Sequence, residues 1–117
     1  MEKKHMKMEF LNINKENLVA VLMTLKKLQL ENDYITDDEL FKQYIIELGQ
    51  GLLEEDKLDA IHKFRRFLWW SLKNPGYITF EVQDNCDNCK WDFFRYPITN
   101  IKLKQKGKEV LLNMNLV

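Results

Sequence analysis

Residues 54–73 read EEDKLDAIHKFRRFLWWSLK, the longest stretch with helical periodicity in this 117-residue chain. Apolar residues recur there at the three- and four-residue spacing of a helix that is buried on one side. The pattern stops at residues 74–76, Asn-Pro-Gly, where the alternation typical of a strand begins. This order predicts an α+β fold, in which a three-helix core is followed by a β-hairpin and a final helix.

The third helix is expected to have an apolar face and a basic face. Advancing about 100° per residue from Leu58 groups one set of side chains as core, namely Leu58, Ile61, Phe64, Leu68, Trp69 and Leu72. The opposite side carries Lys63, Arg66 and Lys73, together with His62 and Asp59. Such a side is either a solvated surface or one that binds a polyanion.

Three residues of this helix do not fit the two faces. Phe67 and Trp70 project toward the flank or the polar side, so they are predicted either to pack on another part of the domain or to anchor a protein partner. Arg65 falls amid the apolar face. We expect its guanidinium to reach solvent or to meet a carboxylate, because burying it unpaired would cost several kcal/mol.

Two shorter helices are predicted before this one. Leucines and valines at helical spacing after Asn12 or Asn14 indicate a first helix over about 15–30. Thr36 and Glu39 form a capping box, and Gly49 supplies a left-handed stop, so a second helix is expected over about 37–48.

The second half of the chain is predicted to contain strands and one more helix. Residues 77–83 alternate as one face of a strand, and residues 91–96 resume as its hairpin partner, which Pro97 either confines to a sheet edge or ends. Residues 101–104 offer a short third segment, and residues 106–115 read as the last helix. Residues 1–13 are expected to be a flexible lead-in, and 14–117 a single domain.

Charge is distributed unevenly although the formal net charge is zero. Residues 1–59 carry 8 lysines against 13 acidic residues, and residues 60–117 carry 10 basic against 5 acidic residues. The asymmetry suggests a polyanion partner for the basic half. It fits equally a head-to-tail self-assembly, or acidic and basic elements that pack on each other.

Features that are absent from the sequence restrict the cellular compartment and the chemistry expected of this protein. No apolar run approaches the ~20 residues of a membrane span, and no secretory signal is visible, so a cytoplasmic protein without a membrane partner is expected. The chain has one serine, Ser71, and no glycine-rich phosphate loop. We therefore predict that it is not an enzyme and binds no cofactor.

Cys86 and Cys89 are a weak metal candidate. Two thiolates with two residues between them supply half of a zinc site. Completing it within one chain needs both histidines, His5 and His62, and a site shared by two chains needs four cysteines. A reversible disulfide is a further alternative, and incidental reduced thiols are the favoured interpretation.

The basic run near the C-terminus is a better candidate for binding. Lys102, Lys104, Lys106 and Lys108 alternate, which in a strand would place every ammonium on one side. Flexible cations on a rigid frame suit phosphate contacts. Lysines also protect an exposed sheet edge from aggregation, and the sequence favours neither role.

Residues 101–112, IKLKQKGKEVLL, resemble the segment of winged-helix transcription regulators that leaves the wing and enters the final helix through Lys-Gly, an acid and leucines. The order of helices and hairpin over residues 14–115 is similar to the same superfamily. The resemblance implies that the third helix lies in the major groove of DNA and that the hairpin around 83–92 is the wing.

The leading hypothesis is thus a small regulator that binds double-stranded DNA, as a homodimer, through six basic residues: Lys63, Arg66, Lys73, Lys102, Lys104 and Lys106. The alternative is a protein-interaction module without DNA binding, in which Phe67 and Trp70 are the buried anchors.

Overall fold

The computed structural model describes residues 14–49, 51, 54–82 and 96–113. Its elements in chain order are α1 (Lys15–Gln29), α2 (Asp37–Leu48), α3 (Lys57–Phe67), β1 (Ile78–Val82), β2 (Ile98–Leu103) and α4 (Gln105–Asn113). A 3-10 turn (Glu54–Asp56) leads into α3, and a π-helical segment (Leu68–Lys73) continues it. The fold is α+β with the predicted layout of three helices, an antiparallel hairpin and a final helix.

Local capping explains where α1 and α2 begin and where α2 ends. The Asn14 side chain accepts a hydrogen bond from the Asn17 N–H at 2.8 Å, and Thr36 Oγ1 accepts one from the Glu39 N–H at 3.2 Å. These bonds satisfy backbone donors that a helix start leaves without a partner. Gly49 ends α2 with a φ of 67°, which suits glycine. Both predicted helices are confirmed, α1 to within a residue.

The four helices, the π-helical segment and both strands contribute to one apolar core. Its largest fully buried side chains include Leu22, Leu25, Leu40, Tyr44, Phe64, Leu68, Ile78, Ile98 and Ile101. Phe64 of α3 lies between two rings of α2, with ring centroids 4.9 Å from Phe41 and 6.0 Å from Tyr44. Burial raises the pKa of Tyr44 to about 12, so its phenol stays protonated through the neutral range.

The face that α3 buries differs in part from the predicted one. Phe64, Leu68 and Leu72 are buried as expected, but Leu58 is 67% exposed and Phe67 is only 2% exposed. Leu58 lies in the first turn of α3, where no other element covers it. A projection of the helix that starts from Leu58 is therefore not centred on the buried face. Measured from Phe64, Phe67 lies only about 60° away, on the same face.

A buried ion pair joins α2, α3 and β2. Arg65 Nε donates to Asp37 Oδ2 at 2.6 Å, which confirms that Arg65 meets a carboxylate. The same oxygen accepts the Ile98 N–H at 3.1 Å, and Asp37 Oδ1 accepts the Asp38 N–H at 2.7 Å. Asp37 is 2% exposed, and its two oxygens are bonded as a buried carboxylate requires.

The two strands pair around a bulge. Thr79 lies opposite Lys102 and Glu81 opposite Thr99, so β2 contains one residue more than β1 between these pairs. Asn100 lies in that interval with a φ of 51°, a left-handed conformation that asparagine tolerates better than most residues.

The hairpin partner of β1 was predicted wrongly in part. β1 pairs with Ile98–Leu103, so Pro97 precedes the second strand and does not end it. The predicted strand 91–96 falls almost wholly outside the described residues. On its other side β2 meets the α1–α2 connection, where the Ile101 N–H donates to the Ile35 carbonyl at 3.0 Å.

The last helix packs closely on the turn before β1. The Lys104 N–H donates to the Tyr77 carbonyl at 2.9 Å. A Cβ added at Gly107 would lie 2.4 Å from the same oxygen, so only glycine fits this approach. None of the described helices is long and apolar enough to cross a membrane.

Acidification should weaken the contact between α1 and α2 at Glu47. Lys27 Nζ and Thr24 Oγ1 donate to this carboxylate at 3.1 and 3.2 Å, and Gln43 Nε2 at 3.4 Å. Burial pushes its pKa up, but these donors outweigh burial and hold the pKa of Glu47 below its usual value. Glu47 therefore stabilises the fold fully above the unfolded-state pKa, and that stability is lost as pH falls below about 4.

The expected result is that Glu47→Gln lowers the free energy of unfolding at pH 7 by less than about 1 kcal/mol, with the deficit shrinking at pH 3. Urea denaturation at both pH values measures it. Glu31→Gln, an exposed acid after α1, is the control and should show no such change. A deficit that is equal at the two pH values would show that the charge of Glu47 contributes nothing.

Candidate nucleic-acid interface

One exposed stripe runs along α3 into the π-helical segment. Asp59, Lys63, Arg66 and Trp70 follow at spacings of four, three and four residues, which places them in a row on a helix surface. Lys63 and Arg66 are exposed, and Trp70 is 59% exposed. We call Lys63, Arg66 and Trp70 the Trp70 face.

Residues on the other side of the helix hold the Trp70 face in place. Phe67, Leu68 and Leu72 are at most 2% exposed, and Ser71 is 6% exposed. The predicted role of Phe67 as a protein anchor is therefore wrong, because its ring lies inside the core. Of the two predicted anchors, only Trp70 is exposed to solvent.

The two consecutive tryptophans face different surroundings. Trp69 turns toward the sheet, where its ring meets Phe80 edge-on with centroids 5.0 Å apart. Lys73 Nζ lies 4.4 Å from the Trp69 centroid and 4.6 Å from that of Phe80. This cation–π contact keeps the Lys73 ammonium at the seam between helix and strand.

The helix has a wider, π-helical turn at these aromatic residues. The Asn74 N–H donates to the Trp69 carbonyl and the Tyr77 N–H to the Leu72 carbonyl, both at 2.9 Å and both five residues apart. Short π-helical turns of this kind occur frequently at functional sites. Sequence reasoning missed this segment, since nothing in a helical wheel distinguishes it from an α-helix.

The hairpin base carries the remaining predicted contacts. Lys102 is exposed on β2 opposite Thr79, and Lys104 is exposed between β2 and α4. Lys106 lies in α4, donates to the Pro75 carbonyl at 2.8 Å and lies 5.1 Å from the centroid of a tyrosine ring. Because β2 ends at residue 103, only Lys102 lies on the strand, and the one-sided row that a continuous strand would give is not formed by Lys102, Lys104 and Lys106.

The basic residues thus form two groups. Lys63 and Arg66 lie midway along the helix, and Lys106 lies beside the turn that follows it. Lys63 is twelve residues before Pro75, or roughly 18 Å along a helix axis. Both groups lie on the C-terminal side of residue 62, so a polyanion would meet the second half of the helix and the hairpin base.

The start of the helix is unsuited to a polyanion. Glu54, Glu55 and Asp56 are acidic, and Glu54 pairs with Lys57 at 2.8 Å. Asp59 pairs with Lys63 at 3.3 Å, one helical turn apart. From residue 60 to residue 80 the chain contains no acidic residue at all. The basic residues of the helix from Lys63 onward therefore have no acidic residue after them on the same helix.

A second surface feature lies between α2 and α3. It is a groove of about 760 Å³ with an apolar lining that includes Phe41, Ile45 and Ile61. Two of its apolar side chains are strongly exposed, Leu58 at 67% and Ile46 at 61%. Charged residues of both signs surround it: Asp38, Lys42, Glu54, Lys57 and Arg65.

The metal candidates lie outside the described residues, since Cys86 and Cys89 belong to residues 83–95. Within the described ranges, no three His, Cys, Asp or Glu side chains come together as a metal site.

Comparison with known proteins adds no relative. No family model matches the sequence, and no curated protein or solved structure matches it significantly. Function is therefore argued from the fold and its side chains.

Proposed function

We propose that this protein is a DNA-binding regulator of winged-helix type that contacts DNA through the Trp70 face. The single observation that carries the proposal is the row of Lys63 and Arg66 beside Trp70, on a helix whose other side is buried in the core. Long cations on a rigid element are what phosphate contacts require.

The order of elements supports the same proposal. Three helices precede an antiparallel hairpin, and the α1–α2 connection bonds to β2 through Ile35 and Ile101. In winged-helix proteins the third helix is the one that enters the major groove. Lys73, Lys102, Lys104 and Lys106 extend the cationic surface from this helix to the hairpin base. The regulator would act in the cytoplasm as a homodimer, since two-fold symmetric proteins read paired half-sites.

Removing the two mid-helix cations should weaken DNA binding. For the double variant Lys63→Ala with Arg66→Ala, we expect roughly tenfold weaker binding to a fluorescent duplex at low salt. The slope of log K against log salt should fall by about 2, because two phosphate contacts release fewer counterions. Fluorescence anisotropy at about 50 mM and about 200 mM salt measures both quantities.

The matched control removes two other exposed lysines, with Lys15→Ala and Lys42→Ala on α1 and α2. Both double variants lower the net charge by two, so a general charge effect would appear in both. Equal weakening in the two variants, or unchanged binding after loss of Lys63 and Arg66, would exclude the Trp70 face as the contact surface.

A protein-interaction module is the second candidate function. The exposed side chains of Ile46 and Leu58 beside the α2–α3 groove favour it, since apolar side chains at a groove are typical of protein-binding sites. Trp70 would be an anchor in this alternative as well. The duplex titration separates the two functions, because this module would show no salt-dependent DNA binding.

A further inference from the structure

We propose that the Trp70 face takes unpaired bases, so that the preferred DNA is one with a single-stranded segment whose base stacks on the Trp70 indole. This inference rests on the proposed DNA-binding function: Lys63 and Arg66 contact phosphates of either form of DNA, and Trp70 adds a contact to an unpaired base. It is carried by three features of the described residues: the position of Trp70 among cations, the support beneath it, and the chemistry of an indole.

Trp70 lies between basic side chains along the helix. Arg66 is four residues before it, Lys63 seven before it and Lys73 three after it. Side chains three or four residues apart on a helix have Cβ atoms about 5–6 Å apart. A base stacked on the indole would therefore place a flanking phosphate within reach of Arg66, one helical turn before Trp70.

The backbone beneath Trp70 is held firmly. Phe67, Leu68 and Leu72 fill the core on the far side, and the Asn74 N–H closes the π-helical turn on the Trp69 carbonyl. A flat ring on a fixed element forms a stacking platform at little cost in conformational entropy. An exposed tryptophan alone is common, but one on a rigid face among cations fits strands with unstacked bases.

An indole is poorly matched to paired bases. Base edges in the major groove present hydrogen-bond donors, acceptors and the thymine methyl, whereas an indole offers a single N–H donor and no acceptor. The flat faces of paired bases are covered by their neighbours in the stack. Stacking on an unpaired base uses the whole ring of Trp70 and tolerates any base.

The local charge favours a nucleic-acid strand over a protein segment. On the helix itself, the acid nearest to Trp70 in sequence is Asp59, eleven residues or roughly 16 Å along the axis, and it is already paired with Lys63. A strand of phosphates matches the run of basic residues Lys63 and Arg66 on this part of the helix.

The test compares a labelled oligothymidine with a labelled hairpin duplex carrying the same number of phosphates, by anisotropy at low salt. We expect wild-type protein to bind the single strand at least fivefold more tightly. Trp70→Ala should weaken single-strand binding roughly 5- to 100-fold, leave duplex binding within about twofold, and leave the salt slope unchanged, since no phosphate contact is lost. Trp70→Phe should restore most of the affinity.

Tyr34→Ala is the matched control, because Tyr34 is an aromatic side chain of similar exposure, 53%, on the α1–α2 connection. It should leave both affinities unchanged. Equal binding of strand and duplex, or equal loss of both in Trp70→Ala, overturns the inference but leaves the proposed function standing. No binding of either DNA at tens of micromolar protein overturns both.

Discussion

Asp37→Ala should destabilise the protein by about 3–5 kcal/mol, the cost typical of removing one partner from a buried ion pair. The Arg65 guanidinium, whose side chain is only 12% exposed, would lose the carboxylate that its Nε contacts at 2.6 Å. The Ile98 N–H would lose its acceptor as well. Urea denaturation, which gives the free energy of unfolding, measures the loss.

Asp38→Ala is the control for this prediction. Asp38 follows Asp37 in the first turn of α2 but is exposed, so its loss should cost less than about 1 kcal/mol, mainly through the helix dipole. The double variant Asp37→Ala with Arg65→Met should be more stable than Asp37→Ala alone, because an apolar side chain of similar length leaves no buried charge. A cost for Asp37→Ala no larger than for Asp38→Ala would contradict the structural role of the pair.

Local chemistry made the helices predictable. Caps such as Asn14, Thr36 and Gly49 act through bonds or dihedral angles within a few residues, so the amino-acid sequence alone reveals them. The spacing of apolar residues along α3 likewise follows from its own geometry. The direction of its buried face does not, because that depends on where other elements cover the helix, and they leave Leu58 uncovered.

The second strand was hidden by its bulge. A regular strand buries every second residue, but the extra residue at Asn100 separates the buried Ile98 and Ile101 by three positions. This spacing breaks the alternation by which strands are recognised, so β2 was predicted only in part, as residues 101–104.

The candidate interface was predictable only to the extent that it lies on one helix. Lys63, Arg66 and Trp70 share a face of α3 and its continuation because of their spacing, which a sequence shows. The contacts of Lys73 with Phe80 and of Lys106 with the Pro75 carbonyl join elements that meet only in the folded chain. The sequence alone therefore identified Lys73 and Lys106 as candidate binding residues, but it did not show which groups they contact in the folded protein.

Gly107→Ala should cost about 3 kcal/mol of stability, near the upper end for overpacking. The added methyl would lie 2.4 Å from the Tyr77 carbonyl oxygen and 3.0 Å from Leu103 Cδ2. The Tyr77 carbonyl cannot move away easily, because it accepts the Lys104 N–H at 2.9 Å. The Tyr77 N–H is also fixed, since it donates to the Leu72 carbonyl. Alanine improves helix propensity by about 1 kcal/mol, which this clash outweighs.

Gly51→Ala is the matched control, since a Cβ there meets nothing within 4 Å and the φ of Gly51 is not in the left-handed region. It should be neutral or slightly stabilising, because alanine lowers the entropy of the unfolded chain. Thermal and urea denaturation of both variants give the comparison. If Gly107→Ala were as stable as Gly51→Ala, α4 would not be packed against Tyr77. The position of Lys106 beside Pro75, and with it the cationic surface at the hairpin base, would then lose its structural support.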